Sequence, residues 1–155
     1  MTDKPIYTTK NFFVQKSNIP ESGLGLFANR QFKKDEILGD YKGKLLTLED
    51  CDNYKDQSHM VDITELKNIK YAAIQPGKKM LLRYINHAPS TVNGKRVKGK
   101  KAHNVKFKNL EEYPYVQIQA IKDIDKNDEI YLNYGASFSK LFLRNDKIRD
   151  FYSKE

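Results

Sequence analysis

Arg83-Tyr84-Ile85-Asn86-His87-Ala88 sets an amide and an imidazole side by side in an apolar setting made by Leu81, Leu82 and Ile85. Polar side chains drawn inside must find hydrogen-bond partners. The pair is therefore a structural tie between strands or part of a ligand site. Two further stretches carry comparable chemistry. Upstream, Ser22-Gly23-Leu24-Gly25-Leu26-Phe27-Ala28 holds two glycines one residue apart, which let a backbone approach a ligand and expose its amides. By itself a Gly-x-Gly is more often a tight turn, and the third glycine and following helix of a dinucleotide fingerprint are missing. Downstream, Glu129-Ile130-Tyr131-Leu132-Asn133-Tyr134-Gly135 ends in a tyrosine before glycine. Such a tyrosine aims its hydroxyl into a cleft, or packs in a core or at a sheet edge.

The rest of the chain bounds what these stretches can do. A length of 155 residues supports one domain with at most a short appendage. A chain of this size buries roughly 70% of the surface its unfolded form exposes. The hydrophobic share of 39% and charged share of 31% fit a globular rather than a disordered chain. The lone Cys51 excludes an intrachain disulfide and a cysteine zinc cluster, which points to a reducing intracellular setting. His59, His87 and His103 show no metal-ligand spacing, so no metal is expected. Met1 to Pro5 lacks the apolar run of a signal peptide, and no stretch approaches the ~20 apolar residues of a membrane span. The net charge of +8 favours an acidic partner surface, or reflects a lysine-rich proteome.

The pattern predicts many short strands. Asn11 to Val14, Leu26 to Ala28 and Ile37 to Tyr41 read as strands, separated by turn clusters at Pro20 to Gly25 and Lys33 to Glu36. Thr47-Leu48-Glu49-Asp50 has the hydroxyl cap and following acid of a helix start. Tyr115 to Ile121 alternates, with Val116, Ile118 and Ala120 on one face. Glu129 to Tyr134 alternates too, which would put Ile130, Leu132 and Tyr134 on one face. Beyond Gly135 the period changes, and Phe138, Leu141, Phe142, Ile148 and Tyr152 fit one stripe of a helix. From Val92 to Asn109 there are seven lysines and arginines and no acid. The first part of this run, through Lys101, reads as an exposed loop. The fold class is mainly β with short helices, built from several small sheets.

In order and spacing the three stretches resemble the SET-domain protein lysine methyltransferases. Tyr41-Lys42-Gly43, Val61-Asp62-Ile63, His103-Asn104-Val105 and Ala120-Ile121-Lys122-Asp123-Ile124 extend the resemblance, which runs from Phe12 to Gly135. It implies a β-clip-like fold with a knot-like threading near the C-terminus and a C-terminal helix. It implies an extension at residues 1–11 and a SET domain at 12–135, with an insert at about 47–77 and a basic loop at about 89–103. The tail at 136–155 would lack the zinc cluster that follows many relatives. The cofactor implied is S-adenosylmethionine. Ser22, Gly23, Leu24 and Gly25 would meet its methionine end through their backbone. Asn86 and His87 would hold its adenosine and amino group, and Arg83, Tyr134 and Phe138 would complete the contacts. Tyr134 would be the central catalytic tyrosine. Tyr41, a second catalytic candidate, would line a lysine channel with Leu132 and Tyr134.

The chain departs from the family pattern in several places. Ala88 stands where a serine is usual, and Asn133 where an aspartate is common. Leu132 occupies a position where many relatives carry Phe or Tyr, which leans toward more than one methyl being added. Without a zinc-bound tail, residues 136–155 must close the channel by packing. Phe138 is then either an aromatic lid or ordinary helix core. The basic loop, through Lys95, Arg96, Lys98, Lys100 and Lys101, either docks onto a nucleosome, DNA or an acidic peptide, or is a solvated insertion. By resemblance the substrate is a protein, most often a histone tail, and compact versions of the domain occur in viruses and bacteria that modify host chromatin. A nuclear or host-nuclear location is implied on the same ground, with monomer and homodimer both open. The competing readings are a non-catalytic SET-like module that binds peptides or nucleosomes, and a basic nucleic-acid-binding β protein. The second lacks a basic face interleaved with aromatics.

Overall fold

The computed structural model describes residues 5–53, 60–63, 71, 73–77 and 79–154. His59 and parts of the expected insert lie outside them. The chain divides into two compact units. One is built from described residues up to 36, from 84–106 and from 120 onward, the other from 37–83 and 107–119.

In the first unit, Tyr7–Thr8, Phe12–Lys16 and Leu24–Ala28 form an antiparallel sheet with Phe13 opposite Phe27. Consecutive strand side chains point to opposite faces, and here both faces are covered. Phe12 stacks on Phe32 at 5.5 Å, while Phe13 stacks on Phe27 at 5.2 Å. Tyr7–Thr8, inside the stretch expected as an extension, forms the edge of this sheet.

The strand Tyr131–Leu132 lies parallel to two segments from earlier in the chain. Tyr131 and Leu132 pair with Asn86 and His87 on one side, and Leu132 pairs with Val105 on the other. The strand is thus inserted between two segments that precede it in the chain. Asn104 holds it in register: its amide nitrogen donates to the Glu129 carbonyl and its oxygen accepts from the Tyr131 N–H. Ile130, Tyr131 and Leu132 are all buried, so side chains on both faces of this parallel-paired strand are covered. The expected single face of Ile130, Leu132 and Tyr134 is therefore not formed, and Tyr134 lies past the strand end.

The expected single terminal helix is two helices, Ala136–Phe142 and Asp146–Ser153. Asn145 caps the second, its side-chain oxygen accepting from the N–H groups of Lys147 and Ile148. The apolar stripe nonetheless converges. Ile148 packs with Ile19, Ala88 and Tyr131, and Phe142 and Tyr152 pack against that cluster. The basic segment read as a loop is a hairpin, Thr91–Val92 with Lys95–Arg96, followed by a short 3-10 turn at Gly99–Lys101. Its turn residues Asn93 and Gly94 both have positive φ (52° and 76°), as a two-residue hairpin turn requires.

In the second unit, Ile37–Asp40 pairs antiparallel with Val116–Ala120, whose burial alternates as the sequence pattern predicts. A separate sheet places Ala73–Pro76 between Gly43–Leu46 and Val61–Asp62. The helix Leu48–Asn53 starts at the predicted capping box. Thr47 Oγ1 accepts from the Asp50 N–H, and the Asp50 carboxylate accepts from the Thr47 N–H, both at 3.2 Å.

Candidate active site

The three sequence stretches meet in the first unit around a buried carboxylate. Glu129 is 2% exposed. Its Oε2 accepts from Ser17 Oγ at 2.7 Å, and its Oε1 accepts from the Asn18 N–H at 2.7 Å and from the Tyr131 hydroxyl at 2.9 Å. Burial lifts the Glu129 pKa above its ordinary value, and these hydrogen bonds oppose the rise. The Tyr131 hydroxyl is pushed up as well, by burial and by the neighbouring carboxylate. Gly25 makes the approach possible, because a Cβ there would fall 2.4 Å from Glu129 Oε2. Asn86 joins the middle stretch to the glycine loop, its amide nitrogen donating to the Leu24 carbonyl at 3.0 Å.

His87, 2% exposed, organises the next layer. Its Nδ1 accepts from the Tyr134 N–H at 2.8 Å. An accepting Nδ1 leaves the proton of a neutral ring on Nε2, which lies 2.7 Å from Ser139 Oγ and donates to it. The pKa of His87 is brought down to about 4, chiefly by burial and secondarily by His103, so the ring is neutral near pH 7. Phe138 and Phe142 meet the imidazole edge-on at 4.9 and 5.2 Å, and Tyr134 lies 5.5 Å away.

Tyr134 points its hydroxyl inward to donate to the Ile85 carbonyl. Burial of that hydroxyl pushes its pKa up to about 12. The residue as a whole is still 41% exposed, and Phe138, 5.1 Å away ring to ring, is 42% exposed. Two aromatic side chains thus present open surface beside the Asn86–His87 strand. Gly23 (φ 65°) has nothing within 4 Å of where a Cβ would lie, so the glycine loop is also open on one side.

Ser22, Gly23, Leu24, Gly25, Asn86, His87, Leu132, Tyr134 and Phe138 all belong to the first unit. Leu132 is buried in its strand, paired with His87 and Val105. The Ser22 hydroxyl donates to the Pro20 carbonyl at 3.5 Å and its N–H to the Ile19 carbonyl at 3.3 Å. Tyr41 and Arg83 belong to the second unit. Tyr41 is buried, edge-on to Phe107 at 5.9 Å, and Arg83 lies in the 3-10 turn Leu81–Tyr84. Sequence reasoning assigned no role to Glu129, Ser139 or Asn104. Glu129 and Asn104 both lie in stretches that carry the resemblance, and Ser139 lies outside them. Among the described residues no group of three or more His, Cys, Asp or Glu side chains is placed to hold a metal ion.

The profile of the SET domain family matches residues 23–135, and the chain belongs to that family. The histone-lysine N-methyltransferase EZH2 of Chaetomium thermophilum is 28% identical over 147 residues, covering 85% of this chain and 9% of its own length. This chain thus spans less than a tenth of that curated relative. A Chaetomium polycomb repressive complex 2 structure, in an autoinhibited conformation bound to S-adenosylmethionine, aligns with 25% identity and a TM-score of 0.61, over 89% of this chain and 17% of that one. The methyltransferase domain of human PR domain-containing protein 2 has the same fold at 17% identity, with a TM-score of 0.59, over 83% of this chain and 80% of that one.

Proposed function

We propose that this chain is an S-adenosylmethionine-dependent protein-lysine N-methyltransferase acting on a histone tail. The observation that carries the reading is the placement of Tyr134. Its hydroxyl is held by the Ile85 carbonyl and its N–H by His87, whose neighbour Asn86 donates to Leu24 of the glycine loop. The names of the relatives, a histone-lysine methyltransferase and a complex bound to S-adenosylmethionine, support the same activity.

The residues present suit the cofactor. An open backbone loop at Ser22 to Gly25, an amide at Asn86 and the exposed aromatic surfaces of Tyr134 and Phe138 match a ligand that carries an amino acid, a positive sulfur and a purine. Bound there, it would supply a methyl group on a cationic sulfur. What remains for the protein is alignment and a fitted electrostatic environment. An attacking lysine, with a reference pKa of about 10.4, must be neutral. Aromatic surroundings that exclude water lower that pKa. Tyr134, its own pKa raised, keeps its proton at neutral pH and is no base. Its oxygen retains lone pairs with which to orient an amine, and the released proton passes to water. The roles of Tyr41 in the channel and Arg83 at the cofactor rest on the resemblance alone. So do the boundaries of the SET domain at 12–135, its insert and its tail, the addition of more than one methyl beside Leu132, and a place at chromatin.

Incubation with labelled S-adenosylmethionine, free histones and nucleosomes, read by mass spectrometry, tests the reading. The expected result is lysine methylation by the native chain and a loss of about 10²-fold or more in Tyr134→Phe, with cofactor binding retained. A chain that binds peptide but no cofactor is a non-catalytic module. A Tyr134→Phe variant at the native rate removes the tyrosine from the mechanism.

A further inference from the structure

The basic hairpin and the end of the last helix enclose a cavity of about 410 Å³ in the first unit, lined by residues 92–98, Lys101 and 152–154 apart from Gly94. It is a built feature of the fold. Asn93 of the hairpin turn bonds Ser153 Oγ at 3.3 Å. Lys101 Nζ donates to the carbonyls of Phe151 and Lys154 and lies 4.3 Å from the Phe151 ring centroid. These contacts latch the hairpin to the helix and satisfy the helix C-terminus.

The latch divides the basic residues into two groups. Lys101 is occupied by the helix end, and Lys100 pairs with Asp125 and Asp128 at 2.7 Å each. Neither is available to the docking role the sequence suggests. Lys95, Arg96, Lys98 and Lys154 are exposed, line the cavity and form no ion pair with any described residue. No acidic side chain lines the cavity among the described residues. Val92, Val97 and Tyr152 contribute the apolar side chains of its lining. Four like charges gathered around one concavity repel one another, and an external polyanion relieves that repulsion.

We propose that this cavity is a docking site for the phosphodiester backbone of duplex nucleic acid, formed jointly by Lys95, Arg96 and Lys98 of the hairpin and Lys154 of the tail. A single carboxylate side chain would neutralise one of these cations. A run of phosphates neutralises all four and matches a chain of net charge +8. The site is separate from Tyr134 and does not depend on the methyltransferase reading.

The experiment is a binding titration of the full chain with a short fluorescent DNA duplex between 50 and 200 mM salt, needing no cofactor. Four phosphate contacts predict a log–log salt slope of about −3.6 and a fall in affinity of roughly 10²-fold across that range. The triple variant Lys95→Ala/Arg96→Ala/Lys98→Ala should bind at least tenfold more weakly, with a slope near −1, and should melt at the native temperature. Lys33→Ala/Lys34→Ala, in exposed positions outside the cavity, should bind as the native chain does. Absence of DNA binding by the native chain overturns the proposal. An equal loss in the Lys33/Lys34 control also overturns it, as does binding of a poly-glutamate peptide in preference to DNA.

Discussion

A Cβ built on Gly25 would meet Glu129 Oε2 at 2.4 Å and Glu129 Cδ at 3.0 Å, with the Ser17 backbone at 3.3 Å behind them. The carboxylate cannot retreat, because Ser17, the Asn18 N–H and Tyr131 hold it. Gly25→Ala should therefore destabilise the chain by about 1–3 kcal/mol, the range for overpacking a filled site. The urea midpoint measures this. Gly23→Ser, where space is open but φ is 65°, should show only the smaller loss of stability that backbone strain imposes.

Removing the carboxylate should be worse than neutralising it. Glu129→Ala leaves the Ser17 hydroxyl, the Asn18 N–H and the Tyr131 hydroxyl without their acceptor, and each orphaned group costs about 1–3 kcal/mol. Glu129→Gln keeps one carbonyl oxygen for two of them and loses the burden of a buried charge, so it should retain most of the stability. Denaturant unfolding of the two variants side by side checks the order.

Stability should fall with acid through His87. Its folded pKa of about 4 lies below the value of about 6.5 in the unfolded chain, so the unfolded state binds more protons between those limits. The contribution is fully present above about pH 7 and is lost as pH falls. It amounts to roughly 2 kcal/mol between about pH 7 and pH 5. His103, shifted in the same direction, adds to the slope. His87→Asn, which can still accept from the Tyr134 N–H, should flatten the variant's own pH–stability curve by that amount between about pH 7 and pH 5. An unchanged slope would show that His87 is protonated normally in the fold.

The final helix should depend on both of its ends. Asn145→Ala removes the acceptor for the Lys147 and Ile148 N–H groups and should cost about 1 kcal/mol. Lys101→Met removes the donor from the Phe151 and Lys154 carbonyls and should cost a similar amount. For a chain of this size each should lower Tm by about 2–4 °C. Calorimetry of the two variants and their combination tests whether the effects add, as expected for opposite ends of one helix.

The legible features were local ones. The capping box at Thr47, the alternation of Val116, Ile118 and Ala120, and the three motif stretches all rest on neighbours within a few residues. The Asn93-Gly94 hairpin was equally local, but the surrounding lysines masked its turn signal. The terminal stripe is apolar as its period predicts but is not one continuous helix, because the first helix ends at Phe142 and Asn145 caps the next without breaking the period.

The amino acids alone carry the class of fold, through propensity and period, and the likeness to the family, through the motif stretches that resemble it. The pairing of Tyr131–Leu132 between segments tens of residues earlier, the burial of Glu129 against Gly25 and the tautomer of His87 came only with the folded molecule. The same holds for the division of the basic residues into two structural and four open cations. Each of these is set by which distant groups are brought within hydrogen-bonding or Coulomb range, and a linear sequence does not encode distance in space.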